Sequence, residues 1–112
     1  MKPLSKTALK DFLTRFENFK EGEFREIQIN SANNIILTFA VQDSARSYDW
    51  ISIKLEFEGI SEASLLDNSK LDYVDMSDGI TISNNGTLFA FNINNSTCHL
   101  SSSSLKYEEG QF

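Results

Sequence analysis

The chain reads as an α+β domain: an N-terminal amphipathic helix packed on a mostly antiparallel sheet of five or six strands. Three observations predict this. The apolar period is 3.6 over residues 5–20 and switches to 2 afterwards. The helix comes first and the strands follow, so there is no βαβ alternation. The 112 residues are 40% hydrophobic and include nine Phe, enough apolar surface for one core.

The helix is predicted over roughly residues 5–20. Leu9, Phe12, Leu13, Phe16 and Phe19 make one apolar stripe. Ser5 is placed to cap its start and Gly22 to end it in a left-handed conformation. Asp11 and Arg15 have the i, i+4 spacing of an ion pair. Lys6, Lys10 and Arg15 fall on the face away from the stripe, which reads as solvated.

Strands are predicted at 24–29, 35–41, 48–57, 80–83, 87–93 and 98–107. Ile35, Leu37, Phe39 and Val41 line one face of the second. The third alternates most cleanly: Ile51, Ile53, Leu55 and Phe57 point one way, and Trp50, Ser52, Lys54 and Glu56 the other. Such alternation marks an antiparallel strand with one buried face. Residues 58–79 are irregular, with room for a short strand or helical turn near 60–66. Asn85-Gly86 predicts a two-residue type I′ hairpin loop. Ile82 then faces Phe89, Ile80 faces Phe91, and all four share one face. A one-residue slip would put the two apolar rows on opposite faces.

Charge is uneven along the chain. The net charge is −6. Residues 1–20 hold five bases against two acids, a net +3, and residues 21–112 hold five bases against 14 acids, a net −9. A body of this sign repels phosphate backbones, which disfavours nucleic-acid binding, and attracts a basic protein. No apolar run approaches a membrane span. A lone Cys excludes an intrachain disulfide, and the first residues lack the apolar stretch of a secretory signal. The expected setting is cytoplasmic, and the Asn-x-Ser/Thr triplets at Asn85, Asn94 and Asn95 then read as turn chemistry.

The motifs exclude more than they assign. The five glycines form no phosphate-binding loop, so no nucleotide cofactor is expected. Cys98 and His99 are adjacent on a strand, where neighbouring side chains point to opposite faces, so a Cys–His dyad is not expected. A zinc site needs three or four N/S ligands, and only these two residues supply them. The acid-rich stretch of Glu56, Glu58, Glu62, Asp67, Asp72, Asp75 and Asp78, opposed only by Lys70, lacks the spacing of a calcium loop. It reads as a solvated or docking surface, with a carboxylate acid/base pair as the alternative if a pocket encloses it. Trp50 faces the wetter side of the best strand. It is either a binding anchor or a residue covered by the helix or the 58–79 segment.

The run Tyr48-Asp49-Trp50-Ile51-Ser52-Ile53-Lys54-Leu55-Glu56-Phe57-Glu58-Gly59-Ile60 follows an amphipathic helix and precedes a turn-rich stretch and C-terminal strands ending near Ser104-Leu105-Lys106-Tyr107-Glu108. This layout resembles small bacterial single-domain proteins of unknown function, some of them immunity proteins of polymorphic toxin systems. The resemblance implies a cytoplasmic inhibitor that binds a toxin, and it carries no functional residues with it. The expected function is a non-enzymatic protein-binding module contacting a basic partner through Trp50, Glu56, Glu58, Asp72, Asp75 and Asp78. A structural or oligomeric accessory protein and an enzyme with an unrecognised carboxylate site are the alternatives. Strand order, oligomeric state and partner identity are not written in these patterns.

Overall fold

The computed structural model describes residues 1–112. In chain order the elements are β1 (Lys2–Pro3), α1 (Leu9–Arg15), β2 (Glu23–Ser31), β3 (Asn34–Asp43), β4 (Asp49–Ser64), β5 (Ile80–Asn84), β6 (Phe89–Ile93) and β7 (His99–Gln111). Short 3-10 turns occupy Glu17–Phe19, Ser44–Arg46 and Asn68–Tyr73. The strands form one antiparallel sheet in the order β2-β3-β4-β7-β6-β5, with β1 added on β7. The fold is therefore of mixed α and β character, dominated by a seven-stranded sheet with little helix. No helix is long and apolar enough to cross a membrane.

Two long strands organise the sheet. β4 and β7 pair from Ile51↔Gln111 to Ser64↔His99. The early part of β4 also pairs with β3. The early part of β7 pairs with β6, and its later part takes β1 through Lys2↔Tyr107 and Pro3↔Lys106. The short β1 escapes sequence reading because two residues show no period. Leu4, just after it, donates its N–H to the Leu105 carbonyl at 2.9 Å and is buried.

The sheet curls around its apolar face. Phe39 in β3 and Phe91 in β6 are three strands apart, roughly 14 Å in a flat sheet. Their ring centroids nevertheless lie 6.2 Å apart, and Phe91 meets Phe57 at 5.4 Å. β4 has a register shift between Ile60 and Glu62 against β7. Gly59 there takes φ +70°, and a Cβ on it would run into the Ser103 hydroxyl. Opposite the bulge β7 changes the face it buries: Leu100 and Leu105, an odd number of residues apart, are both buried.

The helix is shorter than the period predicts. It spans Leu9–Arg15, and of its seven residues only Leu9 and Phe12 are buried. The chain then turns left-handed: Glu17, Asn18 and Phe19 have φ of 52°, 55° and 61°. Each such non-glycine residue costs about 1 kcal/mol or more. Burial offsets that cost, since Phe16 and Phe19 both end in the core, and a fully buried Phe contributes roughly 1.5–3 kcal/mol. Phe19 meets Phe39 edge-on at 5.2 Å, and Phe12 meets Tyr107 of β7 at 5.0 Å. A short helix and a left-handed turn thus stand where one long helix was expected.

The local details of that expectation change with it. The N-cap is Ala8, with no side-chain cap, while the Ser5 hydroxyl bonds to that of Thr7 at 3.1 Å. Gly22 is not the left-handed stop. It is needed because a Cβ would sit 2.8 Å from the Ala40 carbonyl oxygen. Arg15 does not pair with Asp11; it reaches across to Asp43 and Glu109.

The hairpin register also differs. Ile82 pairs with Phe91 and Ile80 with Ile93, so the loop has four residues, Asn85–Leu88. Asparagine side chains build it. Asn84 Oδ1 accepts from the Gly86 N–H at 2.7 Å, and Asn85 Oδ1 accepts from the N–H groups of Thr87 and Leu88. The shift is two residues, so the face is kept: Ile80, Ile82, Phe89, Phe91 and Ile93 are all buried.

β4 runs on to Ser64, past the predicted end at 57. Its apolar row of Ile51, Ile53, Leu55 and Phe57 lies in the core, and the row from Trp50 to Glu58 lies on the open face. Residues 65–79 then cross from β4 to β5, contributing Leu71 and Met76 to the core.

Candidate functional site

The six predicted contact residues fall into two groups. Trp50, Glu56 and Glu58 occupy alternate positions of β4 and share its open face. Asp72, Asp75 and Asp78 lie on the crossover between β4 and β5. The two groups lie on different elements.

On the open face, opposite charges alternate across strands. Lys54 faces Glu108 and Glu56 faces Lys106. Lys106 also reaches Glu58 at 3.3 Å, and Asn34 Nδ2 donates to Glu56 at 3.1 Å. Cross-strand pairs of this kind contribute roughly 0.2–1 kcal/mol each. Glu56 and Glu58 therefore have neighbours that blunt their charge.

The crossover carboxylates shape their own loop. Asp75 accepts from the Ser77 N–H at 2.9 Å, and hydrogen bonding to Ser77 holds its carboxyl below the usual range. Asn95 Nδ2 donates to Asp78 at 2.9 Å and lies 3.4 Å from Asp75, tying the loop to the β6–β7 turn. Asp67 accepts from the N–H and hydroxyl of Ser69, which hold it low in the same way. Asp72 lines a cleft of about 540 Å³ floored by Phe24, Leu71 and Met76. The other carboxylate there, Glu23, is already bonded to Arg25 at 2.8 Å. No three His, Cys, Asp or Glu side chains stand close enough together to hold a metal ion.

Trp50 is 38% exposed. Its neighbour is Phe112, with ring centroids 5.7 Å apart. Arg25 stacks its guanidinium over the Phe112 ring at 4.6 Å. Beneath this cluster the open face narrows to small residues: Ala40 pairs with Ser52, and Ser52 with Gly110. Tyr48, two residues before Trp50, is also exposed.

Cys98 lies just before β7 and His99 is its first residue, and the two have different surroundings. Cys98 is buried, and burial pushes its thiol up to about 11. His99 is on the surface, with Nε2 3.0 Å from Glu62 Oε1 and Nδ1 3.0 Å from the Thr97 carbonyl. Both ring nitrogens face acceptors, so the arrangement favours the doubly protonated ring and raises its pKa, Glu62 contributing most.

Sequence reading missed a charged network at the end of the sheet. Asp43 is fully buried and takes Arg15 bidentately, Nε to Oδ1 at 2.9 Å and Nη2 to Oδ2 at 2.7 Å. Arg15 also bonds Glu109 at 2.9 Å, and Arg46 reaches Asp43 at 3.4 Å and Glu109 at 3.6 Å. The Arg15 guanidinium, more than burial, sets the Asp43 carboxyl, which lies below its usual range. A signal was present. Asp43 continues the inward row of Ile35, Leu37, Phe39 and Val41, and a carboxylate at a core position demands a partner.

Comparison with protein-family models, with curated proteins and with solved structures finds no match to this chain.

Proposed function

We propose that the chain is a non-enzymatic protein-binding module whose partner is a basic protein, in the manner of an immunity-type inhibitor acting in the cytoplasm. The observation that carries this reading is the exposed Trp50–Phe112 pair on the open face of a body with net charge −9 over residues 21–112. Trp anchors dominate binding energies at interfaces, and an opposite charge on the partner speeds encounter. Glu56 and Glu58 share that face and serve as its rim. Asp72, Asp75 and Asp78 lie on the crossover and act through the long-range field.

The test is capture by the immobilised chain, followed by calorimetric titration of the captured protein. Trp50→Ala and the paired change Glu56→Lys with Glu58→Lys are compared with wild type. A basic protein that binds stoichiometrically and loses about tenfold or more in affinity with Trp50→Ala, a change of about 1.4 kcal/mol, supports the reading. An acidic partner, or binding indifferent to both variants, overturns it.

A further inference from the structure

β5 is the last strand of the sheet, with β6 on one side and no strand on the other. The phase of its ladder is fixed at both ends. The Asn94 N–H donates to the Gly79 carbonyl at 3.1 Å, and the Asn85 N–H to the Leu88 carbonyl at 3.2 Å. Bonded pairs alternate along an antiparallel ladder, so Thr81 and Ser83 turn their main-chain groups to β6, and Ile80 and Ile82 turn theirs outward. No turn or loop of the chain bonds to those outward groups.

Both residues line a groove between β5 and α1. It consists of two clefts, of about 350 and 220 Å³, that share Leu13, Asn18 and Ile82. Leu13 is half-buried and gives the groove an apolar surface. The rim is basic: Lys6 and Lys10 line the first cleft and Lys20 the second. All three are exposed and stand in no ion pair. Asp78, the one acid of the lining, is already bonded by Asn95.

We propose that this groove takes an extended acidic segment of another protein as an added strand on β5, with an apolar side chain on Leu13 and carboxylates on Lys6, Lys10 and Lys20. A strand brings both donors and acceptors, which the outward N–H and C=O groups of Ile80 and Ile82 need. A nucleic-acid backbone would satisfy the lysines, but its phosphates offer the two carbonyls no donor. A basic segment would be repelled by three unpaired lysines. The proposal stands apart from the reading above, because its residues are different and the charge it asks for is opposite.

The experiment is an NMR titration of the full chain with the capped pentapeptide Glu-Thr-Val-Thr-Glu at low salt. Alternation in a strand puts its Val and both Glu on one side. The controls are Lys-Thr-Val-Thr-Lys, the acidic peptide N-methylated along its backbone, and a short single-stranded oligonucleotide. The expected result is a saturable shift of the Ile80 and Ile82 amides and the Leu13 methyls with the acidic peptide alone. The paired change Lys6→Glu with Lys10→Glu should weaken that binding at least about fivefold, since it sets like charges together. Both side chains are exposed, so the unfolding midpoint should stay put. Equal binding of the N-methylated peptide would overturn the added strand. Shifts of the same residues with the oligonucleotide, and none with the peptide, would reassign the groove to nucleic acid. No saturable shift at Ile80, Ile82 or Leu13 would overturn the proposal and leave the Trp50 face untouched.

Discussion

The carboxamide of Asn68 satisfies both main-chain groups of Ile27: its Oδ1 accepts from the Ile27 N–H at 2.9 Å, and its Nδ2 donates to the Ile27 carbonyl at 3.0 Å. β2 is an edge strand, and its outer rim would otherwise present these groups to any passing strand. One side chain stands in for a neighbouring strand at that point. Asp67 holds Asn68 in place by capping the 3-10 turn that carries it.

Asn68→Ala should therefore destabilise the fold by about 1–3 kcal/mol, the size expected for two partly buried hydrogen bonds left unmade. Asn68→Asp should cost more, because a carboxylate faces the Ile27 carbonyl with no proton to donate. Urea unfolding of the three proteins measures this. Equal stability for all three would mean that water replaces the amide without loss.

Asp43 makes the second prediction. Replacing it with Asn removes one of the two carboxylates that hold Arg15, which is 30% exposed and keeps Glu109, so the loss should be about 1–3 kcal/mol, the size expected for charge-assisted hydrogen bonds left unmade. The pH dependence follows from the lowered carboxyl. A carboxyl whose folded pKa lies below its unfolded value, about 3.9, stabilises the fold above that value. The stabilisation fades as pH falls through the lower, folded pKa. Wild type should lose stability steeply on acidification below about pH 4, the unfolded carboxyl range, and Asp43→Asn should lose less over the same interval. Matching slopes for the two would assign the acid sensitivity to other groups.

What the sequence made legible was parity, and what it hid was everything that parity leaves free. The apolar rows of β3 and β4 could be read because a one-residue error exposes every buried side chain. The hairpin shows the limit. A two-residue slip keeps Ile80, Ile82, Phe89 and Phe91 on their face, so only the loop chemistry of Asn84 and Asn85 decides the register. The helix end was hidden for a related reason. Phe16 and Phe19 fit a helical stripe, yet Phe19 reaches the core from a left-handed turn whose cost only tertiary packing offsets. Of the candidate site, Trp50 on the open face was legible from alternation, but its partner Phe112 and the separation of Glu56 and Glu58 from the crossover acids depend on strand order.

Gly79 and Gly86 offer a controlled comparison. Both have positive φ, +66° and +104°. A Cβ at Gly79 would collide with the carbonyl oxygen of Asn18, within the left-handed stretch, whereas one at Gly86 meets nothing within 4 Å. Gly86→Ala should cost only the backbone penalty, about 1–2 kcal/mol. Gly79→Ala adds a clash with main chain that cannot swing aside, and should cost more. Thermal unfolding of the pair decides it; a smaller loss at Gly79 would show that the turn relaxes.

The final prediction concerns His99, the only histidine, whose ring protons give a single set of NMR signals to follow with pH. Its two nitrogens face the Glu62 carboxylate and the Thr97 carbonyl, so the protonated ring is favoured and its pKa is raised. A group whose pKa is higher folded than unfolded contributes stability that is complete below the unfolded value, about 6.5. That contribution disappears as pH rises through the folded value. Glu62→Gln keeps the shape but removes the charge, so the His99 titration should move back toward the ordinary histidine value. The same change should flatten the stability profile on the alkaline side of about pH 6.5, where the wild-type contribution fades. Because the pair is exposed, the effect on overall stability is small, and the titration is the more sensitive readout. An unchanged titration in Glu62→Gln would assign the shift to the Thr97 carbonyl instead.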